Sequence, residues 1–304
     1  VSKPDESIPQ GHSNQYTLFF TFTLCAICAI ILAAMASGLK SHQQDAIELD
    51  RSKQMLIAAN VLDASGHFQL LDQGQWKKAI LNGPGLIPSE QAPVASSDDI
   101  TTFYNRRVHA VFTDASGKLL DPKALGIDSK TYFDEHQKYG FAHQQKKLFY
   151  VVLAEGAIDP LQGPYDGFII PVNGFGLWGP IYGYLGLKQD AITVLGISWY
   201  QHGETPGLGA NISEASWQKQ FYGKTIFQKD SQGQIDPVNS PIGLVVLKGK
   251  VSEVYGNDPR ADNSVDGMTG ATITGNGVNS AYKDVLEQYR PFLIEAHKAS
   301  RGQS

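Results

Sequence analysis

Asp266-Gly267-Met268-Thr269-Gly270-Ala271-Thr272-Ile273-Thr274 is a run in which two short hydroxyl residues bracket Gly-Ala, immediately before a helix-start pattern. Gly267 and Gly270 allow tight turns and close backbone approach to a ligand. Thr269, Thr272 and Thr274 crowd hydroxyls onto one loop. Behind them Val278, Tyr282, Val285, Leu286 and Tyr289 recur with a helical period. A helix N-terminus that aims free N–H groups at such a loop is a ready place for a phosphate. The same residues also fit a threonine-rich N-cap with no ligand at all.

Two further runs lie upstream. One is Gly174-Phe175-Gly176-Leu177-Trp178-Gly179-Pro180-Ile181-Tyr182-Gly183, the other His202-Gly203-Glu204-Thr205-Pro206-Gly207-Leu208-Gly209. In the first, Leu177 and Trp178 stand between Gly176 and Gly179, a bulky pair on a compliant backbone. Such a pair serves either as the wall of a flat-ligand slot or as ordinary core packing. In the second, Pro-Gly in the middle positions of a four-residue turn is a type II signature, with Glu204 and Thr205 just ahead of it.

The three runs, in this order, resemble the FMN-binding domain family. The Asp266–Thr272 stretch is similar to that family's flavinylation motif, roughly Asp-x-x-Ser/Thr-Gly-Ala-Thr. With the Gly-Leu-Trp-Gly-Pro-x-Tyr-Gly and Glu-Thr-Pro-Gly-Leu-Gly runs, the likeness is to the C-subunit family of the Na+-translocating NADH:quinone oxidoreductases. It covers about residues 165–290 and is weaker through about 60–165. The resemblance implies FMN joined by a phosphoester to Thr272, with Gly176, Leu177, Trp178, Gly179, Glu204, Thr205, Leu208, Lys248, Asp266, Gly267, Thr269, Gly270, Ala271 and Thr274 around it. No catalytic residue and no metal ligand is expected on this chain. The implied function is to relay electrons through that flavin, coupled to sodium transport. Implied partners are the complex's other subunits, membrane lipid, and a separate Mg2+-dependent flavin transferase that uses FAD. The flavoprotein of an Rnf-type oxidoreductase shares two of the three runs and is the nearest alternative. A membrane-anchored binding module with no redox role is the other, and a colourless preparation would favour it.

At 304 residues, 42% hydrophobic and 18% charged, the chain can bury a large core. A net charge of −5, with no basic run, argues against nucleic acid as a partner. Tyr16 to Leu39 carries no charged residue. At about 1.5 Å rise per residue it reaches about 36 Å, against roughly 30 Å of membrane hydrocarbon. Ala34-Met35-Ala36 looks like a signal-peptide cleavage site, but the apolar run is longer than the usual 7–15 residues or so, and Lys3 is offset by Asp5 and Glu6. The expectation is a membrane anchor. Lys40, Arg51 and Lys53 just beyond it would, by the positive-inside rule, put the domain in the cytoplasm. The resemblance instead puts it outside, on the periplasmic face of a bacterial inner membrane. Cys25 and Cys28 both lie in the anchor, where small apolar residues suit packing.

The expected plan is a tail over 1–15, a transmembrane helix over 16–39 and a soluble domain over 40–304. Ser41 to about Leu62 reads as a helix, with Ala46, Leu49, Met55, Leu56, Ala59 and Leu62 near one face. Residues 82–97, rich in Pro, Gly and Ser, read as loop. Strands are expected at Val108–Thr113, Leu148–Leu153, Phe168–Val172, Ile192–Trp199 and Ile242–Leu247, and helices at Glu214–Phe221 and Asn276–His297. Pro291 should kink or interrupt the last. Strands in mixed order with few helices point to an α+β fold. No G-x-S-x-G elbow and no G-x-G-x-x-G opening a βαβ unit is present, so NADH binding is not expected here.

Overall fold

The computed structural model describes residues 13–302. Helix α1, Asn14–Ala58, is continuous through the apolar run and beyond it. Its segment Asn14–Lys40 contains an 18-residue stretch with a mean hydropathy of 2.6 and is long and apolar enough to cross a membrane. The helix stops at Ala58 rather than Leu62, because Asn60 takes a left-handed conformation (φ 58°) that ends the turn. The chain divides into two compact units at Asp50 and Arg51.

The second unit is built on a six-stranded antiparallel sheet. Its strands are β4 (Val108–Thr113), β5 (Leu119–Leu120), β6 (Lys147–Leu153), β7 (Tyr165–Phe175), β8 (Pro180–Lys188) and β9 (Val194–Gln201), in the order β5-β4-β6-β7-β8-β9. Ahead of it come a separate meander, β1 (Phe68–Asp72), β2 (Gln75–Asn82) and β3 (Gly85–Pro88), then α2 (Ser97–Arg107). Further elements are α3 (Ser129–His136), α4 (Ala215–Gln218), α5 (Val251–Val254) and the parallel pair β10 (Val245–Val246) and β11 (Ser264–Val265). Helix α6, Thr272–Gly302, lies on the sheet. Val278, Tyr282, Val285, Leu286, Tyr289, Phe292 and Leu293 on it are buried among Phe149, Phe168, Ile170 and Trp199. The architecture is α+β.

Several local expectations need correction. Pro291 sits inside α6 without ending it. Its cost of about 3 kcal/mol is outweighed where apolar side chains on both sides are buried at about 1.5–3 kcal/mol each. Residues 82–97 are not all loop, since Gly85–Pro88 pairs with β2. The Ile242–Leu247 strand shrinks to Val245–Val246, because Gly243 (φ 134°) turns the chain out of extended pairing. The strand expected from Ile192 begins at Val194 and runs on to Gln201. Helix Glu214–Phe221 is a short α turn that continues as a 3-10 turn over Lys219–Phe221.

Among the elements that the sequence reading missed are α2 and β8. In α2, Ser96 and Asp99 form a reciprocal capping box just past a Pro/Ser-rich stretch that reads as loop. Gly183 and Gly186 dilute the strand pattern of β8. Space is what they supply: a Cβ at Gly186 would overlap the Ala58 carbonyl, and one at Gly183 would lie 2.5 Å from the Ser198 carbonyl oxygen. The last turns of α1, residues 51–58, are joined to the sheet and its flank at two further points. Ser198 Oγ donates to Gln54 Oε1 (2.5 Å), and the Arg51 guanidinium lies over the Phe133 ring (3.9 Å).

Candidate cofactor site

The three glycine-containing runs converge at the N-terminus of α6. The first is the tip of the β7–β8 hairpin, where Phe175 pairs with Pro180 and the Gly176 N–H donates to the Gly179 carbonyl (2.8 Å). The second follows β9. Leu208 N–H donates to the Thr205 carbonyl (3.1 Å) across Pro206 and Gly207, and Gly207 has φ 75°, as a type II turn demands. The third is the loop 266–271, which turns at Gly270 (φ 75°) into α6.

Glu204 joins them. It is only 6% exposed, and its carboxylate accepts the Trp178 N–H at Oε1 (2.9 Å) and the Thr274 hydroxyl at Oε2. Burial pushes this carboxyl up, but the Thr274 hydroxyl and the N–H groups of Trp178 and Leu177 together outweigh burial and hold it below the usual carboxylate range. Glu204 is therefore ionised at neutral pH. Trp178 is also fixed through its indole, which donates to Thr205 Oγ1 (3.0 Å). Leu208 comes up against Gly270, so that a Cβ there would lie 2.9 Å from Leu208 Cδ2.

Asp266 holds the third loop in place. Its Oδ1 accepts the Val251 N–H (2.7 Å), its N–H donates to Gln220 Oε1 (3.0 Å), and its carbonyl accepts the Trp217 indole (3.2 Å). Gly267 packs on the backbone at Leu247 and Lys248, where a side chain would overlap the Leu247 carbonyl. Lys248 lines a narrow notch with Val246, Met268, Ala271, Thr272, Gly275 and Asn276. His202 is tied to the loop itself, with Nδ1 accepting the Glu204 N–H (3.3 Å).

Thr272 is exposed as the first residue of α6, and Thr269 is exposed in the loop, whereas Thr274 is buried. The first backbone bond of this helix is from Gly275 N–H to the Ala271 carbonyl (2.9 Å). Among the described residues no carbonyl accepts the N–H groups of Thr272, Ile273 or Thr274. Such an open helix end, beside an exposed hydroxyl, suits a phosphate or phosphoester. Around it Phe175 (72%), Leu177 (50%), Trp178 (69%), Leu208 and Ile273 are exposed. A cluster of large apolar side chains in water is costly and is the surface a flat ring would cover. The donor set and the apolar surface thus fit both ends of FMN. A larger cavity, about 680 Å³ between Lys118, Tyr165, Phe168 and Phe292, contains none of these residues.

Gly209, Gly275 and Gly277 belong to the arrangement but do not stand out in the sequence as site residues. A Cβ at Gly209 would lie 2.5 Å from both Glu204 Oε2 and Thr274 Oγ1. One at Gly277 would overlap the Phe175 carbonyl. Glycine inside a helical pattern is the signal that marks such close approach, and Gly275 and Gly277 both carry it.

Residues 176–287 match the family model of the FMN-binding domain, so the class of protein defined by this fold and site is an FMN-binding domain carried behind an apolar helix. Over 307 aligned residues the chain is 39% identical to the C subunit of the Na+-translocating NADH-quinone reductase of Chlamydia caviae, covering 96% of each protein. It is 31% identical to the corresponding protein of Yersinia pestis, covering 93% of each. A crystal structure of the Parabacteroides distasonis counterpart aligns at a TM-score of 0.53 with 25% identity, covering 84% of this chain and 96% of that one. The chain belongs to the C-subunit family of the Na+-translocating NADH-quinone reductases.

Proposed function

We propose that this chain carries electrons within a Na+-translocating NADH:quinone reductase, through FMN joined by a phosphoester to Thr272 Oγ1. The observation that carries the reading is the placing of Thr272: exposed, first in α6, and followed by N–H groups with no carbonyl partner among the described residues. Phosphoester formation consumes the Thr272 hydroxyl and leaves a diester of single negative charge. That charge gains about 0.3–1 kcal/mol from the helix dipole in an exposed setting. The family resemblance supplies the reaction: a flavin transferase moves the FMN group from FAD to the threonine oxygen and releases AMP, with the hydroxyl proton lost.

When bound, FMN supplies the electron-accepting ring, and the protein's part is to hold and orient it. Gly270, Ala271 and the first turn of α6 seat the phosphate, with Lys248 near enough to add a positive charge. Leu177, Trp178 and Leu208 give the ring an apolar face, and Thr205 locks the Trp178 indole in place. Covalent attachment makes retention independent of a dissociation equilibrium, as an exposed carrier requires. NADH oxidation and quinone reduction belong to other subunits, to which this one is held by its apolar helix in the inner membrane with the domain on the periplasmic side.

Coexpression with a flavin transferase tests the assignment. The wild-type chain should give a fluorescent band on a denaturing gel, and Thr272→Ala should lose it. Thr269→Ala and Thr274→Ala should weaken the band without moving the label to another residue. A fluorescent Thr272→Ala band, or peptide mass mapping that puts the FMN increment elsewhere, overturns the assignment.

A further inference from the structure

We infer that Glu204 is the positioning residue that selects Thr272 over its helix neighbour Thr274 as the flavin acceptor. The inference rests on the reading that Thr272 is the attachment point, and adds how the chain makes that choice. Thr269, Thr272 and Thr274 carry the same functional group within six residues of one another. Chemistry alone does not separate them.

The first turn of α6 separates Thr272 from Thr274. At 3.6 residues per turn, each residue turns about 100°, so positions 272 and 274 lie about 200° apart on the helix. Whichever of the two faces the interior, the other faces out. Thr274 is 1% exposed and donates its hydroxyl to Glu204 Oε2, and Thr272 is exposed. The Glu204–Thr274 bond therefore sets the rotation of this turn. It withdraws one threonine hydroxyl from competition and turns the other outward. The second oxygen of the same carboxylate is held by the Trp178 N–H, so the turn is also set relative to the hairpin that carries Leu177 and Trp178.

Two glycines show that the surrounding backbone is shaped around this pair. A Cβ at Gly176 would stand 2.5 Å from Glu204 Oε1, and one at Gly209 would stand 2.5 Å from Glu204 Oε2 and from Thr274 Oγ1. Neither glycine is among the residues with positive φ, so conformation does not require glycine there. Room for the carboxylate and its hydroxyl partner does. Both lie in the two upstream runs, Gly176 beside Leu177 and Gly209 after Leu208.

The test measures the initial rate of flavin incorporation into the full chain in detergent, using purified flavin transferase, Mg2+ and FAD. Thr274→Val keeps the shape and removes the hydroxyl, Thr274→Ser keeps the hydroxyl, and Glu204→Gln removes the charge. Thr274→Val and Glu204→Gln should each incorporate flavin about tenfold more slowly, the scale expected for losing a hydrogen bond to a charged group. The double variant should be no slower than the worse single one, because both act on the same Glu204–Thr274 interaction. Thr274→Ser should recover most of the rate, and a melting curve for each variant separates slow attachment from failure to fold. Peptide mapping of Thr274→Val should find the slower-formed label still on Thr272. A Thr274→Val chain that is labelled at the wild-type rate overturns the inference. So do additive effects in the double variant. Persistent label in Thr272→Ala instead overturns the attachment reading itself, which keeps the two failures distinct.

Discussion

Alanine at position 277 should destabilise the protein, although helix propensity alone argues for the opposite. Gly277 lies in the second turn of α6, where replacing glycine by alanine in an unconstrained helix gains about 0.5–1 kcal/mol. Here the new Cβ would overlap the Phe175 carbonyl oxygen and come within 3.0 Å of its carbon and 3.4 Å of the Gly176 Cα. These are backbone atoms at the tip of a paired hairpin, so no side chain can swing aside. Overpacking of this kind costs about 1–3 kcal/mol, and a backbone obstacle puts it at the upper end. The net expectation is about 2 kcal/mol of destabilisation, or a melting temperature lower by about 4–8 °C for a domain of this size. Thermal unfolding of the full chain in mild detergent, followed by circular dichroism, measures it. Gly275 is the control: its Cβ would meet only Val246, with Cγ1 at 3.3 Å, a side chain with some freedom to yield, so Gly275→Ala should shift the melt far less. Flavin incorporation should fall with Gly277→Ala, because the first turn of α6 is pushed away from the hairpin. A melting temperature equal to or above wild type would refute the close approach of α6 to Phe175.

Glu204 gives a pH prediction with a definite sign. Its folded carboxyl is held below the ordinary 4.5, so the stability it contributes is present above that pH and is lost as the pH falls through the folded value. The gap in melting temperature between wild type and Glu204→Gln should therefore be widest near neutrality and close as the pH falls below the ordinary carboxylate range; a constant gap would count against an ionised Glu204. Thr205→Ala and Trp178→Ala should leave FMN attached yet shift its visible spectrum or potential, and unchanged values in both would remove those residues from the ring site. Deleting residues 1–39 should give a soluble domain, and protease added to spheroplasts, whose outer membrane has been opened, should cut the full-length domain. Protection from that protease would put the domain in the cytoplasm, as the basic residues after the anchor suggest.

Much of this site was legible before any fold was known, because its determinants are local. A threonine-rich turn with Gly270 at its corner, a Pro206-Gly207 type II turn and an uncharged helix-length run each follow from the conformations and solvation of neighbouring residues. The helical period behind Thr272 was equally plain, because one face of α6 is buried along most of its length. Less was legible in the meander β1–β3, whose short strands give no long alternating pattern and whose central strand exposes the adjacent Lys77 and Lys78. The strand β8 was hidden by the glycines that let the last turn of α1 approach it, and the continuity of α6 through Pro291 by core packing that holds the helix together across it.

From the sequence alone come an apolar run long enough to cross a membrane, three chemically equal threonine hydroxyls of which one is the proposed acceptor, and the kind of ligand such a turn favours. The proposed choice between Thr272 and Thr274 is a tertiary matter. It depends on a carboxylate 70 residues away in sequence accepting the Thr274 hydroxyl, and on which way a helical turn then faces. The same holds for Glu204 itself, which reads as a ring-lining residue in sequence but is buried, with its oxygens engaged by the protein's own donors. Burial and long-range hydrogen bonding are properties of the packed chain. No local pattern encodes them, because the partners meet only once the hairpin, the turn after β9 and the first turn of α6 have closed on one another.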